Sequence, residues 1–366
     1  MAQIRIGVIG CGQIAQHHFE TYSKIPDAQV VACCDIRPAA LEASATKWKV
    51  ETKYENFRDL LKRTDIDAVD VCLHNNYHAP MTIAALEAGK HVYCEKPMAG
   101  AYRDAVTMIE TAQKLGKKLH IQLSTLYAPE TRAARELIAA GELGELYHAR
   151  STGFRRRGRP FVDGYGSETF VQKAISAGGA LYDMGVYHIS QLLYLLGNPT
   201  VERVTGKTYQ KTPMNETRRK SAGYSVEELG TGFVRFAGDI SMDIIEAWAI
   251  NLDSLEGSSL VGSHGGVRLT PFGFFRGTGE LDLNSTVNLE SAKFRWQNVT
   301  KDWDLYASSQ HHWISVLQDK VAPIPTAAIA LNTMLIQEGI YLSEKLGREV
   351  TADEIREKSV SIAVKL

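Results

Sequence analysis

Little in the chain points to a membrane, a nucleic acid or an oxidising compartment. Lys plus Arg number 41 and Asp plus Glu 42, a formal net charge of −1. The chain therefore lacks the positive excess on which phosphate-backbone binding depends, and no nucleic-acid partner is expected. No stretch approaches the roughly 18 consecutive apolar residues of a spanning helix, so no membrane association is expected. The start, Met1-Ala-Gln-Ile-Arg-Ile, shows no basic leader with a long apolar stretch and a small-residue cleavage site, so no signal peptide is expected. Cysteine is scarce: the five residues Cys11, Cys33, Cys34, Cys72 and Cys94 are odd in number and include no Cys-x-x-Cys pair. That excludes a disulfide scaffold and reads as reduced, buried thiols in a cytoplasmic protein. Internal repeats, low-complexity tracts and linkers are also missing. Cysteine is absent after residue 94, whereas four of the five tryptophans (Trp248, Trp296, Trp303, Trp313) follow residue 245, which suggests two halves of different construction.

What is present fits a globular protein with room for a core and a pocket. Hydrophobic residues make up 44% and charged residues 23% of 366, and at roughly 150 residues per domain two domains are expected. Residues 3–10 (Gln-Ile-Arg-Ile-Gly-Val-Ile-Gly) read as a buried parallel strand. Gly10-Cys11-Gly12-Gln13-Ile14-Ala15 follows as a G-x-G-x-x-A turn, and helical spacing runs from Ile14 to Lys24. A second apolar run, Ala28 to Cys34, ends in Asp35, 20 residues after Ala15. Gly10 permits the tight turn, Gly12 lets backbone approach a pyrophosphate, and small Ala15 lets helix and strand pack closely. The helix start supplies free N–H groups to the phosphates, with Gln13 and Ile14 beside them. Asp35 accepts hydrogen bonds from both adenosine-ribose hydroxyls and repels a 2′-phosphate, which favours NAD over NADP. Arg37, two residues on, softens that preference.

The βα alternation continues. Strands are read at Asp67–Leu73, His91–Cys94 and Lys118–Leu123, and helices at Ala79–Ala88 and Ala101–Leu115, each closed by a glycine. Repeated βα units imply a doubly wound parallel sheet that binds its ligand at the carboxyl ends of the strands. Beyond Tyr147–Phe154, read as a strand, come the Arg-rich run Arg155-Arg-Arg-Gly-Arg159 and a Gly-, Tyr- and Ser-rich loop to Phe170. Arg156 and Arg157 are candidates for binding sugar hydroxyls or a carboxylate. Near-period-two alternation with glycine punctuation from Gly230 to Leu289 reads as antiparallel strands and hairpins. A partner subunit is a natural cover for one face of such a sheet, so a homo-oligomer is expected; a monomeric mass in sedimentation at micromolar concentration would contradict that. His311-His312-Trp313 opens a helix; adjacent histidines do not face one point, and no metal is expected there. Thr326–Leu346 reads as a long helix.

At Ala88-Gly-Lys-His-Val-Tyr-Cys-Glu95-Lys96-Pro97 the sequence resembles the Gfo/Idh/MocA family, named for glucose–fructose oxidoreductase, inositol dehydrogenase and rhizopine catabolism. Gly178-Gly-Ala-Leu-Tyr-Asp183-Met-Gly-Val-Tyr187-His188 resembles the family's second motif, and Ile340–Val350 its closing segment, so the likeness covers nearly the whole chain. The resemblance implies an α/β protein: an N-terminal Rossmann domain, 1–123, with a doubly wound parallel sheet, and a C-terminal α/β domain, 124–366, with an open, mostly antiparallel sheet. It also implies nicotinamide-dependent oxidation or reduction of a sugar, cyclitol or glycoside. Lys96, after a strand at the ligand edge, is then the acid/base, because partial burial beside a positive nicotinamide disfavours its ammonium form. Glu95 either orients Lys96 or faces solvent.

In the family's second motif an Asp precedes a His by four residues. Here Asp183 matches, Tyr187 holds the fourth position and His188 follows. Asp183 is read as the acceptor of a substrate hydroxyl, and Tyr187 and His188 share the third role. In an α-helix Tyr187 lies on the face of Asp183 and His188 about 100° further round. Where the family often has Thr-Pro-Asn-x-x-His, this chain has Leu73-His74-Asn75-Asn76-Tyr77-His78, and Asn75 and His78 match as cofactor-binding residues. The reading is thus an NAD-dependent dehydrogenase of a secondary hydroxyl, extending to 3-oxidation of glycosides. Two others stay open: a glycosidase that oxidises its sugar transiently, and a non-catalytic NAD-binding regulator.

Overall fold

The computed structural model describes residues 3–300 and 303–366. The chain divides into two compact units: the described residues of Met1–Gln122, Asp302–Ala327 and Ser361–Leu366, and those of Leu123–Lys301 and Ala328–Val360.

The first unit is built on six strands, β1 (Ile4–Ile9), β2 (Ala28–Cys34), β3 (Thr52–Tyr54), β4 (Ala68–Val71), β5 (His91–Cys94) and β6 (Leu119–Ile121). They lie in the order β3-β2-β1-β4-β5-β6, all parallel. Helices α1 (Gln13–Tyr22), α2 (Pro38–Trp48), α3 (Phe57–Leu61), α4 (Asn75–Glu87) and α5 (Tyr102–Lys114) make the connections. This is the doubly wound order, whose strand sequence reverses beside β1 and so opens a crevice at the carboxyl ends of the central strands. All five cysteines are buried and free, as small apolar side chains on or beside these covered strands.

Part of this unit comes from late in the sequence. Trp313 and Ile314, on the helix Ser309–Leu317, enter the same buried cluster as Ile6, Val8, Phe19 and Tyr93. Lys118 Nζ donates to Val316 O (2.6 Å) and pairs with Asp319, and Ile121 N donates to Thr326 Oγ1 (3.0 Å). At the chain end, Val364 N donates to Asn76 O. The uneven spread of tryptophan therefore does not mark two halves of the chain: Trp313 belongs to the core of the parallel sheet.

The second unit carries nine further strands: β7 (Leu146–Phe154), β8 (Val201–Tyr209), β9 (Leu229–Phe236), β10 (Ile240–Ala247), β11 (Ser259–Gly262), β12 (Gly266–Arg268), β13 (Gly273–Thr278), β14 (Leu281–Thr286) and β15 (Val350–Thr351). They form one sheet in the order β14-β13-β12-β11-β7-β10-β9-β8-β15. The pairings are antiparallel except β7 with β10, so the sheet is mixed and mostly antiparallel. The helix Thr326–Leu346 packs close on β8 and β9, where glycine permits it: a Cβ on Gly206 or Gly232 would fall 2.8 or 2.7 Å from Ile340. Among the described residues no helix is long and apolar enough to cross a membrane.

Candidate functional site

The glycine turn sits at the carboxyl end of β1. Gly10 has φ +98°, and a Cβ there would lie 2.1 Å from the carbonyl oxygen of Cys72, so no side chain fits. A Cβ on Gly12 would meet only Arg37, at 3.8 Å, so the outer side of the turn is open. Gly12 caps α1 without any side-chain bond to the first N–H groups. Those donors and the positive end of the helix remain available to an anion. Ala15 is buried under the turn, and Gln13 and Ile14 are exposed beside it.

The Asp35 carboxylate closes the turn from β2. Its Oδ2 accepts from Cys11 N (2.8 Å) and Arg37 Nη2 (3.0 Å), and its Oδ1 from Arg37 N (2.8 Å) and Nε (3.1 Å). Burial pushes its pKa up, but the Arg37 guanidinium and the two backbone N–H groups outweigh it and hold the carboxyl below its ordinary value. An open glycine edge, an uncapped helix start and a carboxylate beside them fit a nicotinamide dinucleotide. Arg37, with 63% of its side chain exposed, lies at the same edge.

Lys96 follows β5 at this same end of the sheet. Its backbone N–H donates to Glu95 Oε2 (2.9 Å), and Pro97 O lies 2.7 Å from His78 Nδ1. Glu95 is buried rather than facing solvent. Its Oε1 accepts from His18 Nε2 (2.8 Å), and His18 Nδ1 reaches Asp70 Oδ2 (2.8 Å). A fully buried imidazole thus joins two carboxylates under the lysine. Burial lowers the His18 pKa, but the Asp70 charge and its neighbours outweigh it and raise the value well above the ordinary one. Glu95 is pushed up by burial and more strongly down by His18, ending below its usual range. Cys72 Sγ lies 3.3 Å from His18 Nδ1. One nitrogen, one oxygen and one sulfur of His18, Asp70 and Cys72 lie within 4.8 Å of one another, but they are already engaged with each other.

Asn75 opens α4, four residues before the helix start expected at Ala79. His78 is fully buried, with Nε2 3.0 Å from Leu73 O. Both of its ring nitrogens therefore face backbone carbonyls, and the neutral ring that burial favours can donate to only one of them.

In the second unit the segment from Gly178 to Leu195 carries the other candidates. A Cβ on Gly179 would lie 2.0 Å from Glu227 O, and one on Gly178 would lie 2.3 Å from the Tyr341 hydroxyl, so both glycines are required by close approach. The buried Glu227 carboxylate accepts from Gly179 N (2.9 Å) and Leu181 N (3.0 Å), anchoring the start of the helical segment; burial raises its pKa. Leu181–Gly185 then forms a π-turn before the α-helix Val186–Leu195. The α-helical spacing expected from Asp183 onward does not hold there.

Asp183 Oδ2 accepts from Trp248 Nε1 (3.0 Å) and lies 3.9 Å from Arg155 Nη1. Arg155 donates to the Tyr165 hydroxyl and lies over that ring. His188 Nδ1 lies 3.0 and 3.2 Å from the two oxygens of Glu246, which also accepts from Ser151 Oγ (2.8 Å). Tyr187 is half-buried, and its carbonyl accepts from Thr125 Oγ1 (2.9 Å). Arg156 and Arg157 are exposed, and Arg157 bridges backbone to Ala249. The guanidinium that approaches Asp183 is thus that of Arg155. The sequence reading missed Arg155, Glu227, Glu246 and Trp248. One signal for Glu246 was there: it occupies the period-two face of Met242 and Ile244, where a charged residue is out of place.

Comparison with known proteins matches residues 4–123 to a domain described as "Oxidoreductase family, NAD-binding Rossmann fold". Residues 131–268 match the "GFO/IDH/MocA C-terminal domain". A D-glucoside 3-dehydrogenase of Escherichia coli (strain K12) is 33% identical over 355 residues, covering 95% of this chain and 97% of that one. A myo-inositol 2-dehydrogenase of Thermotoga maritima is 30% identical over 54% of this chain and 57% of its own. Among solved structures, a levoglucosan dehydrogenase in complex with NADH superposes with a TM-score of 0.79 at 18% identity, covering 96% of this chain and 99% of that one, which speaks for the fold alone.

Proposed function

Because the chain belongs to the Gfo/Idh/MocA oxidoreductase family, whose N-terminal domain binds NAD, we propose that it is an NAD-dependent dehydrogenase of a glycoside or sugar secondary hydroxyl. The observation that carries this reading is Lys96 at the carboxyl end of β5, in the sheet whose β1 and β2 ends hold the glycine turn and Asp35. Identity to the D-glucoside 3-dehydrogenase along nearly the whole chain favours a glucoside oxidised at its 3-hydroxyl.

When bound, the nicotinamide supplies a two-electron hydride acceptor. The protein supplies binding, orientation and proton transfer. The first turn of α1 holds the pyrophosphate, and Asp35 the adenosine ribose. Lys96 takes the proton of the reacting hydroxyl. Asp183, held by Trp248, accepts from a substrate hydroxyl and fixes the ring. Tyr187 or His188 holds a further hydroxyl. Arg155 and Tyr165, beside Asp183, offer a planar cation and an aromatic face to an aglycone or second sugar.

A panel of aldoses, polyols and glucosides with NAD and NADP, followed by absorbance of the reduced cofactor, tests this. NADH formation with glucosides is expected. Glycoside cleavage without NADH accumulation would instead indicate a hydrolytic cycle, and no reaction with any of them would overturn the reading. Removing a carboxylate acceptor of two ribose hydroxyls costs about 1.5–3 kcal/mol per charged hydrogen bond. Asp35→Ser should accordingly raise KM for NAD by at least about tenfold and, with Arg37 released, bring NADP closer to NAD.

A further inference from the structure

The buried face of β10 carries Met242, Ile244 and Glu246, which are 0%, 1% and 0% exposed. A carboxylate on such a face is costly unless it is paired. Its partners are Ser151 from β7 and His188 from the helical segment. Two residues further along, Trp248 holds Asp183. Glu246, near the end of β10, and Trp248, just past it, thus hold His188 and Asp183 from one short stretch of chain, and Arg155, 3.9 Å from Asp183, also acts on His188. The pairing also fixes the histidine: the carboxylate accepts from Nδ1–H, which leaves the Nε2 lone pair as the acceptor of the neutral ring. The side chain is 27% exposed, so the imidazole is not closed off. Gly153 makes room for the contact, since a Cβ there would lie 1.9 Å from Glu246 Oε2 and 3.0 Å from His188 Cε1.

We propose that His188, rather than Tyr187, is the third substrate-contacting group, its neutral Nε2 accepting a hydrogen bond from a substrate hydroxyl, and that Glu246 is the positioning residue that sets its tautomer and orientation. The inference rests on the dehydrogenase reading above and names the residue that reading left open.

The charged groups acting on the ring are Glu246 from β10 and Arg155 from the segment after β7, which also lies 3.9 Å from Asp183. Burial lowers the His188 pKa and Arg155 lowers it further, but Glu246 outweighs both and raises it. The protonated ring cannot accept, so kcat/KM for the glycoside falls as pH drops through this raised pKa. Without the Glu246 charge the pKa falls, and the acid limb moves to lower pH.

The test is the pH profile of kcat/KM between pH 5 and 9 for the full chain with NAD and the best glycoside, comparing wild type, Glu246→Gln, His188→Gln and Tyr187→Phe. Thermal unfolding confirms that each variant is folded. Glu246→Gln keeps shape and a partner for Ser151, and is expected to shift the acid limb down by about one pH unit. His188→Gln keeps an acceptor but removes this titration, so the limb should change to that of Lys96 alone, with kcat/KM down about 10–100-fold. In Tyr187→Phe the limb should persist, whatever happens to kcat. A limb unchanged in His188→Gln, or lost in Tyr187→Phe, overturns the inference. The dehydrogenase reading fails separately, by an absence of NADH formation in wild type or by activity that survives the loss of Lys96. NADH formation that depends on Lys96 but not on His188 overturns this inference alone.

Discussion

Replacing Lys96 by methionine is expected to lower kcat by about 10²–10⁴-fold, the span that one positioned acid/base group contributes. The fold should be spared. The backbone on either side of the residue is tied down by groups other than its ammonium: Lys96 N–H to the buried Glu95 carboxylate, and Pro97 O to His78. Methionine keeps the length and the apolar stem. Lys96→Arg sharpens the test, because arginine keeps the positive charge but holds its proton at any working pH. Both variants should be equally poor if the lysine moves a proton, whereas Lys96→Arg should retain most of the activity if the residue supplies charge alone. Initial rates of NADH formation at saturating NAD and glycoside decide between the two. Near-wild-type turnover in Lys96→Met would remove the lysine from the chemistry altogether.

The largest effect on stability is expected at His18. Its two ring nitrogens each lie 2.8 Å from a carboxylate, Asp70 on one side and Glu95 on the other. An ionised carboxylate only accepts, so a ring that satisfies both donates from both nitrogens and carries the charge. His18→Leu fits the space but strands the two carboxylates in a region without water. Breaking a buried ion pair in this way costs about 3–5 kcal/mol, a large part of the stability of an ordinary domain. Urea unfolding at pH 7.5 should show it as a lower midpoint. The pH dependence has a definite sign. The folded pKa of His18 is raised, so its contribution is in full force below the ordinary histidine value and is lost as pH rises through the folded one. That of Glu95 is lowered, so its contribution is present above the ordinary carboxylate value and is lost as pH falls through the folded one. In His18→Leu, Glu95 loses the partner that lowered its pKa and can protonate on mild acidification. Between pH 5 and pH 7.5 the wild type loses part of the His18 contribution as pH rises, while the variant loses the relief that protonation of the stranded Glu95 gives it at low pH, so the deficit is expected to change with pH. A deficit that is small and independent of pH would mean that the ring is neutral.

The parallel sheet was largely legible in the sequence because its signals are local. The strands Ala28–Cys34 and His91–Cys94 and the helix Thr326–Leu346 were read with the ends they have, since apolar runs there stop at polar or glycine residues. The three-residue β3 offers too short a run to stand out. The start of α4 was missed because its cap, His74, makes no side-chain bond to the helix and so gives no capping signal. The π-turn at Leu181–Gly185 eluded a reading based on α-helical period. The partners of these residues were missed for a different reason. Glu246 and Trp248 lie 58 and 65 residues from His188 and Asp183, and only the parallel register of β7 with β10 brings Ser151 toward Glu246. Such pairings are a property of topology, which local pattern does not carry.

The return of Trp313 and Ile314 to the core of the parallel sheet bears on how the protein is made. A chain is synthesised at about 5–20 residues per second. Between Gln122 and Ala327, the ends of the first and second stretches of this unit, lie 327 − 122 = 205 residues, so the growing sheet waits about 10–40 s for the helix that covers Tyr93. During that interval an apolar face that the finished protein hides is open to other nascent chains. The nucleotide-binding unit, although it begins the sequence, therefore cannot be completed until most of the other unit has been made.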